Sequence, residues 1–255
     1  MSTLKASGFA QISPDTGLVR NDTTAKFEVG TVISDTLGNS YRYVKANEAL
    51  VVGKTVTAVA KAAWDTNRAV DGAITANTTN VLHIDTITTA MTINQYAGYY
   101  VSQATAAGKG IGYRIAHHDA MAASGEGDLY LEDEMKEAFT NDTALLIYNP
   151  YVVELVDAAT ELIMGVCIGT ITSGSYGFIQ VGGHCPAVLV GHTTSAAIIL
   201  NEPLATIAGV PGACQGMAGS DEADIMESAA SPLIALQAVT ADTTGYVEAF
   251  IKGLV

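Results

Sequence analysis

The chain has 255 residues, 49% of them hydrophobic, only 15% charged and 7% aromatic, with a net charge of −14. That is enough apolar material for one large or two modest cores, which excludes an intrinsically disordered chain. So acidic a balance argues against nucleic acid as a partner, because phosphate recognition needs clustered cations.

No run of about 18 uncharged apolar residues offers a membrane span. The start, Met1 to Ser7, lacks the apolar core of a secretion signal, which predicts intracellular synthesis. The charge is unevenly distributed. Residues 1–118 hold ten Lys/Arg against eight Asp/Glu, net +2, and residues 119–255 hold two against eighteen, net −16. The split predicts two surfaces with different roles, beside the plainer reading of an ordinary acidic surface. Cys167, Cys185 and Cys214 form no C-x-x-C pair, which predicts three small buried thiols in a reducing compartment.

Residues 1–26, with the turn signal Ser13-Pro14-Asp15-Thr16-Gly17, predict an extended N-terminal arm. Phe27 to Ile33 and Tyr41 to Val44 predict a hairpin across the turn cluster Asp35–Ser40. A loop and short strand follow over 48–59. Residues 57–70 are ambiguous between an Ala-rich helix and a loop. Alternation then predicts strands at 81–87, 98–102, 113–116, 128–131 and 144–148. One helical turn is predicted over 135–140. A boundary is placed near Pro150, giving an arm (1–26), a β-rich domain (27–150) and a C-terminal β-rich domain (151–255). Past it, short strands are predicted at 162–171, 177–181, 187–190, 198–200 and 246–251, with a short helix at 221–229. The fold class is mainly β: β-sandwich or barrel-type domains with short helices and an extended N-terminal arm.

Candidate chemistry is sparse. His117-His118-Asp119 offers metal ligands, but adjacent side chains on a strand point to opposite faces. His184-Cys185 pairs a base with a thiol only in sequence, and Val181–Pro186 reads better as a strand end with tight turns. Gly108-Lys109-Gly110-Ile111-Gly112 is followed by Tyr113-Arg114-Ile115, a strand pattern rather than the helix a phosphate loop needs. Glu126, Asp128, Glu132, Asp133, Glu134 and Glu137 carry carboxylates suited to calcium without the spacing of a calcium loop, and read as a solvated acidic edge. Asp221, Glu222, Asp224 and Glu227 read as a helix start. The Asn-x-Thr triplets at Asn21, Asn77 and Asn141 carry no meaning without secretion. No catalytic, cofactor-binding or metal-ligating set is assigned, and the chain is not read as an enzyme.

Several blocks go further. Tyr41–Ala46 and Ala49-Leu50…Gly53 are followed by Gly108–Ile115, Leu129–Asp133 and Ala138–Asp142. Asn149-Pro150-Tyr151 and Gly165-Val166 come next, and the longest block is Tyr176–Leu189. In order and spacing over residues 40–190, and more loosely to the C-terminus, the chain resembles the head decoration, or capsid cement, proteins of tailed bacteriophages. It departs from them at Glu134, where similar chains tend to have proline after Leu-Glu-Asp. The resemblance implies a structural virion protein without cofactor. It would be made in the host cytoplasm and placed on the outer capsid surface, bound to the major capsid protein and to itself as a homotrimer. It carries over no site residues. Two other readings stand beside it. One is a head-fibre or tail component. The other is a carbohydrate-binding β-sandwich module using Tyr96, Tyr99 and Tyr100.

Overall fold

The structure, a computed structural model, describes residues 17–60, 65–86, 88–104, 111–158, 161–191, 197–207, 209–216, 231–240 and 244–253. Among them are sixteen strands. In chain order these are β1 (Val32–Ser34), β2 (Ser40–Ala46), β3 (Thr55–Ala58), β4 (Asp65–Val70), β5 (Val81–Thr86), β6 (Tyr100–Gln103), β7 (Tyr113–His118) and β8 (Glu126–Leu131). Then come β9 (Ala144–Tyr148), β10 (Val152–Leu155), β11 (Gly165–Cys167), β12 (Tyr176–Val190), β13 (Pro203–Thr206), β14 (Cys214–Gly216), β15 (Leu233–Ala235) and β16 (Gly245–Ile251). The mainly β expectation holds. No helix occurs among the described residues. Residues 135–140 form no helical turn: Met135 and Phe139 are buried in the core, and Phe139 bridges Ile74. The predicted helix over 221–229 lies outside the described residues.

The chain forms two compact units, residues 1–59 with 151–255, and residues 60–150. The division thus differs from a single cut near Pro150. Its cause is strand pairing: β10 runs antiparallel to β3 and parallel to β2, so the chain after Tyr151 returns to the sheet of the first 59 residues.

Unit 1 is built on β12. Its first half pairs with β2 and β11, and β2–β10–β3–β11–β12 closes on itself. Its second half pairs with β16 and, at Val190, with β14, so β12–β14–β13–β15–β16 closes a second circuit. Each circuit has its own core. Val44, Leu50, Val56, Val153, Ile179 and Val181 fill the first. Val188, Leu204, Cys214, Leu233, Val247 and Ile251 fill the second. Sequence alternation makes this possible: β16 reads exposed and buried by turns from Tyr246 to Ile251. The hairpin turn between β1 and β2 is held by Asp35. Its carboxylate accepts from Leu37 N, Asn39 N and Asn39 Nδ2 at 2.8–2.9 Å, the Asx pattern expected of that residue type.

Two expectations are corrected here. Val181–Pro186 is not a strand end; β12 runs through it. Gly183 adopts φ +90°, and exposed Pro186 falls at the register shift between Cys185 and Val188, where a missing N–H does least harm. Nor do residues 17–26 form a free arm. Leu18 is buried, and Asp22 exchanges backbone hydrogen bonds with Tyr176 at 2.8 Å in both directions. Residues 1–16 lie outside the described residues.

Unit 2 is a six-stranded closed barrel in the order β4-β5-β8-β7-β6-β9. Its core holds Val70, Leu82, Ile84, Val101, Ile115, Leu129, Leu131, Leu145 and Ile147, with Met135 and Phe139. The +2 and −16 halves do not survive this division. Unit 1 carries seven Lys/Arg and fifteen Asp/Glu, and unit 2 carries five and eleven, giving −8 and −6.

Candidate functional site

A cluster of one histidine and three carboxylates lies on the outer face of the unit 2 barrel. On β5, Leu82 and Ile84 point inward, so His83 and Asp85 point outward. On β8, Leu129 and Leu131 point inward and Asp128 lies on the outer side. The antiparallel register sets His83 opposite Asp128 and Asp85 opposite Glu126. Asp71, one residue past β4, is held beside them because its N–H donates to the His83 carbonyl at 3.0 Å.

Three carboxylates therefore surround one imidazole. His83 Nδ1 lies 2.6 Å from Asp128 Oδ1, and an ionised carboxylate only accepts, so Nδ1 carries the proton. On the other side of the ring, Nε2 lies 3.3 Å from Asp71 Oδ2 and 3.9 Å from Glu126 Oε2. The side chains are 38–65% exposed, so water reaches them. The His83 pKa is raised above 6.5, chiefly by its hydrogen bond to Asp128, against partial burial. The charges of Asp128, Asp71 and Glu126 add to this.

The acidic stretch is thereby divided. Glu126 and Asp128 join His83, whereas Glu132 pairs with Arg114 at 3.1 Å and Glu134 lies 3.9 Å from Lys136. His117 and His118 do part to opposite faces. His117 stacks on Tyr130 at 4.4 Å. His118 is buried; its Nε2 accepts from Tyr96 N at 3.0 Å, leaving Nδ1 to donate to the Asp119 carbonyl. It fastens the loop before β6. His184 and Cys185 also part: His184 Nε2 lies 3.6 Å from Glu248, and Cys185 is buried. All three cysteines are buried and unpaired, and burial pushes the thiols of Cys167 and Cys214 up to about 12. Such thiols are poor nucleophiles. Gly108–Gly110 lies outside the described residues, and Tyr113 does open a strand.

The tyrosines weighed as a sugar platform are committed to packing. Tyr96 and Tyr99 meet edge to face at 5.5 Å and pack on the barrel core, and the Tyr96 hydroxyl donates to Asp65 at 2.6 Å. Tyr100 stacks on Tyr148 at 5.9 Å.

In unit 1 the exposed apolar groups include Tyr246 and Phe250 on β16 and Leu37 in the β1–β2 turn. Leu37 and Phe250 line one cleft with Asn39, His184 and Lys252.

In the sequence His83 falls within the predicted strand 81–87, and no motif singles out Asp71. The alternation Leu82-His83-Ile84-Asp85 places two polar groups on one face, but which carboxylates stand opposite depends on register, which one strand's sequence does not carry. No protein-family model, curated protein or solved structure matches the chain.

Proposed function

We propose that the chain is a structural virion protein, a decoration or cement protein. In this reading it binds the outside of a phage head and bridges major capsid subunits of the expanded shell. The reading rests on one observation: the longest block resembling such proteins, Tyr176–Leu189, falls on β12, the strand that both closed circuits of unit 1 share. The resemblance is thus carried by residues that make the framework. The commitment of His118, Cys185 and the tyrosines to packing supports the same reading, since a mechanical protein spends its polar groups on structure.

Three copies around a local threefold each bury surface against neighbouring capsid subunits. A standard interface of about 1,600 Å², repeated over the shell, must be lost before the subunits part. A net charge of −14 is tolerable outside the shell, where packaged phosphate does not repel it.

The test is co-sedimentation with expanded, undecorated heads, counting copies bound per capsid subunit. Saturation at a fixed ratio is expected, and one trimer per local threefold would give one copy per subunit. Failure to bind at low and at physiological salt overturns the reading and turns attention to the tail, the head fibre and glycans.

A further inference from the structure

We propose that Asp71, His83 and Glu126 form a surface site for one divalent transition-metal ion of the zinc class, oriented by Asp128. The case starts from spacing. Zinc holds nitrogen and carboxylate oxygen at about 2.0–2.2 Å, so two ligands of a tetrahedral shell stand about 3.4 Å apart. His83 Nε2 and Asp71 Oδ2 are 3.3 Å apart. Glu126 Oε2 is 3.9 Å from the same nitrogen, and the three ligand atoms lie within 4.8 Å of one another. A small rotation of the exposed Glu126 side chain closes that gap.

The same distances fit a shared proton less well. A charge-assisted N–H···O bond runs about 2.7–2.9 Å. On the Asp128 side His83 makes such a bond, at 2.6 Å. On the Nε2 side neither carboxylate comes that close. In its neutral form, with its proton on Nδ1, the imidazole turns a lone pair toward two carboxylate oxygens, an arrangement that either a second proton or a bound cation relieves.

Asp128 supplies the part that metal-binding histidines usually need, a carboxylate on the far ring nitrogen that fixes tautomer and ring orientation. The ligands come from three places: the end of β4, β5 and β8. Their exposure leaves room for water to complete the shell. One imidazole with two carboxylates suits zinc or its neighbours better than calcium or magnesium, which prefer oxygen alone. This site is independent of the capsid reading, and either can fail without the other.

The test is titration calorimetry of the full chain with zinc chloride at pH 7.5, with calcium chloride in parallel. One zinc per chain is expected, bound at least ten times more tightly than calcium. His83→Gln should weaken binding by about 30-fold or more. Asp128→Asn should weaken it by about 10–100-fold, the usual effect of losing such an orienting carboxylate. Circular dichroism melts confirm that the variants fold, and the Nε2 resonance of His83, followed by long-range ¹H–¹⁵N spectra, should shift on zinc addition in the native chain. Absence of saturable binding at 100 µM zinc overturns the proposal. So does a one-to-one site that His83→Gln leaves intact, or calcium binding as tight as zinc.

Discussion

Asp22 shows how one carboxylate ties a terminal segment to a sheet. It accepts from Arg20 Nε at 2.8 Å and Nη2 at 3.1 Å, and from the Tyr43 hydroxyl at 2.9 Å. Tyr43 is fully buried, with Phe27 and Phe178 about 5 Å away. The Arg20 hydrogen bond holds the Asp22 pKa below its ordinary 3.8, against burial, with Tyr43 adding to the effect. The unfolded chain therefore binds this proton more tightly than the folded one. The resulting stability is complete above the ordinary value and is lost as pH falls through the lower, folded one. Asp22→Asn should cost about 1–2 kcal/mol at pH 7, the scale of a charged hydrogen bond. Urea midpoints of the two proteins should converge toward pH 2. A gap that stays constant from pH 7 to pH 2 would show that the charge of Asp22 contributes nothing.

At the scale of the element, β12 is the member on which the others depend, and at Gly183 its pairing passes from β2 to β16. With φ at +90°, the glycine lies in the region that side chains avoid. A Cβ there would sit 2.2 Å from Asn39 Oδ1, the oxygen that accepts from His184 N at 2.9 Å. Gly183→Ala should therefore lower stability by about 2–4 kcal/mol, through backbone strain and the lost turn contact. Thermal melting checks this, and a change below 0.5 kcal/mol would show that the backbone at Gly183 accommodates a side chain. The same residues mark what the sequence disclosed. Strongly alternating runs such as Val81–Ile84 and Tyr246–Ile251 were legible as strands. The 182–186 run was not, because glycine and proline are turn signals by local statistics, and only pairing with β2 and β16 carries the strand through them. Three-residue strands such as β14 and β15 are too short for a period to show. The His83 cluster was half visible: Glu126 and Asp128 stood out as charge, but the register that sets them beside His83 is a property of two strands.

For the whole molecule, the order of strands in unit 1 matters most. β3 and β10 are antiparallel neighbours, with Val153 opposite Ala58, and Val59 N donates to the Val152 carbonyl at 3.1 Å. The chain leaves unit 1 and re-enters it at what would otherwise be the turn of a hairpin. Replacing residues 60–150 by a two-residue Asn-Gly turn should leave unit 1 folded, and residues 60–150 alone should melt cooperatively, since each unit has its own core. Loss of cooperative melting in the shortened chain would show that unit 1 needs the barrel. Sequence composition hid this arrangement because neither junction is marked by a linker of distinctive composition.

A hairpin position of this kind is indifferent to what it carries. A folded passenger constrains its host through the separation of its ends rather than through its length, so one whose ends lie close together costs the host little. Unit 1 therefore works as a socket: residues 60–150 can be exchanged for another folded module whose ends lie close together, and the framework around β12 keeps its pairing.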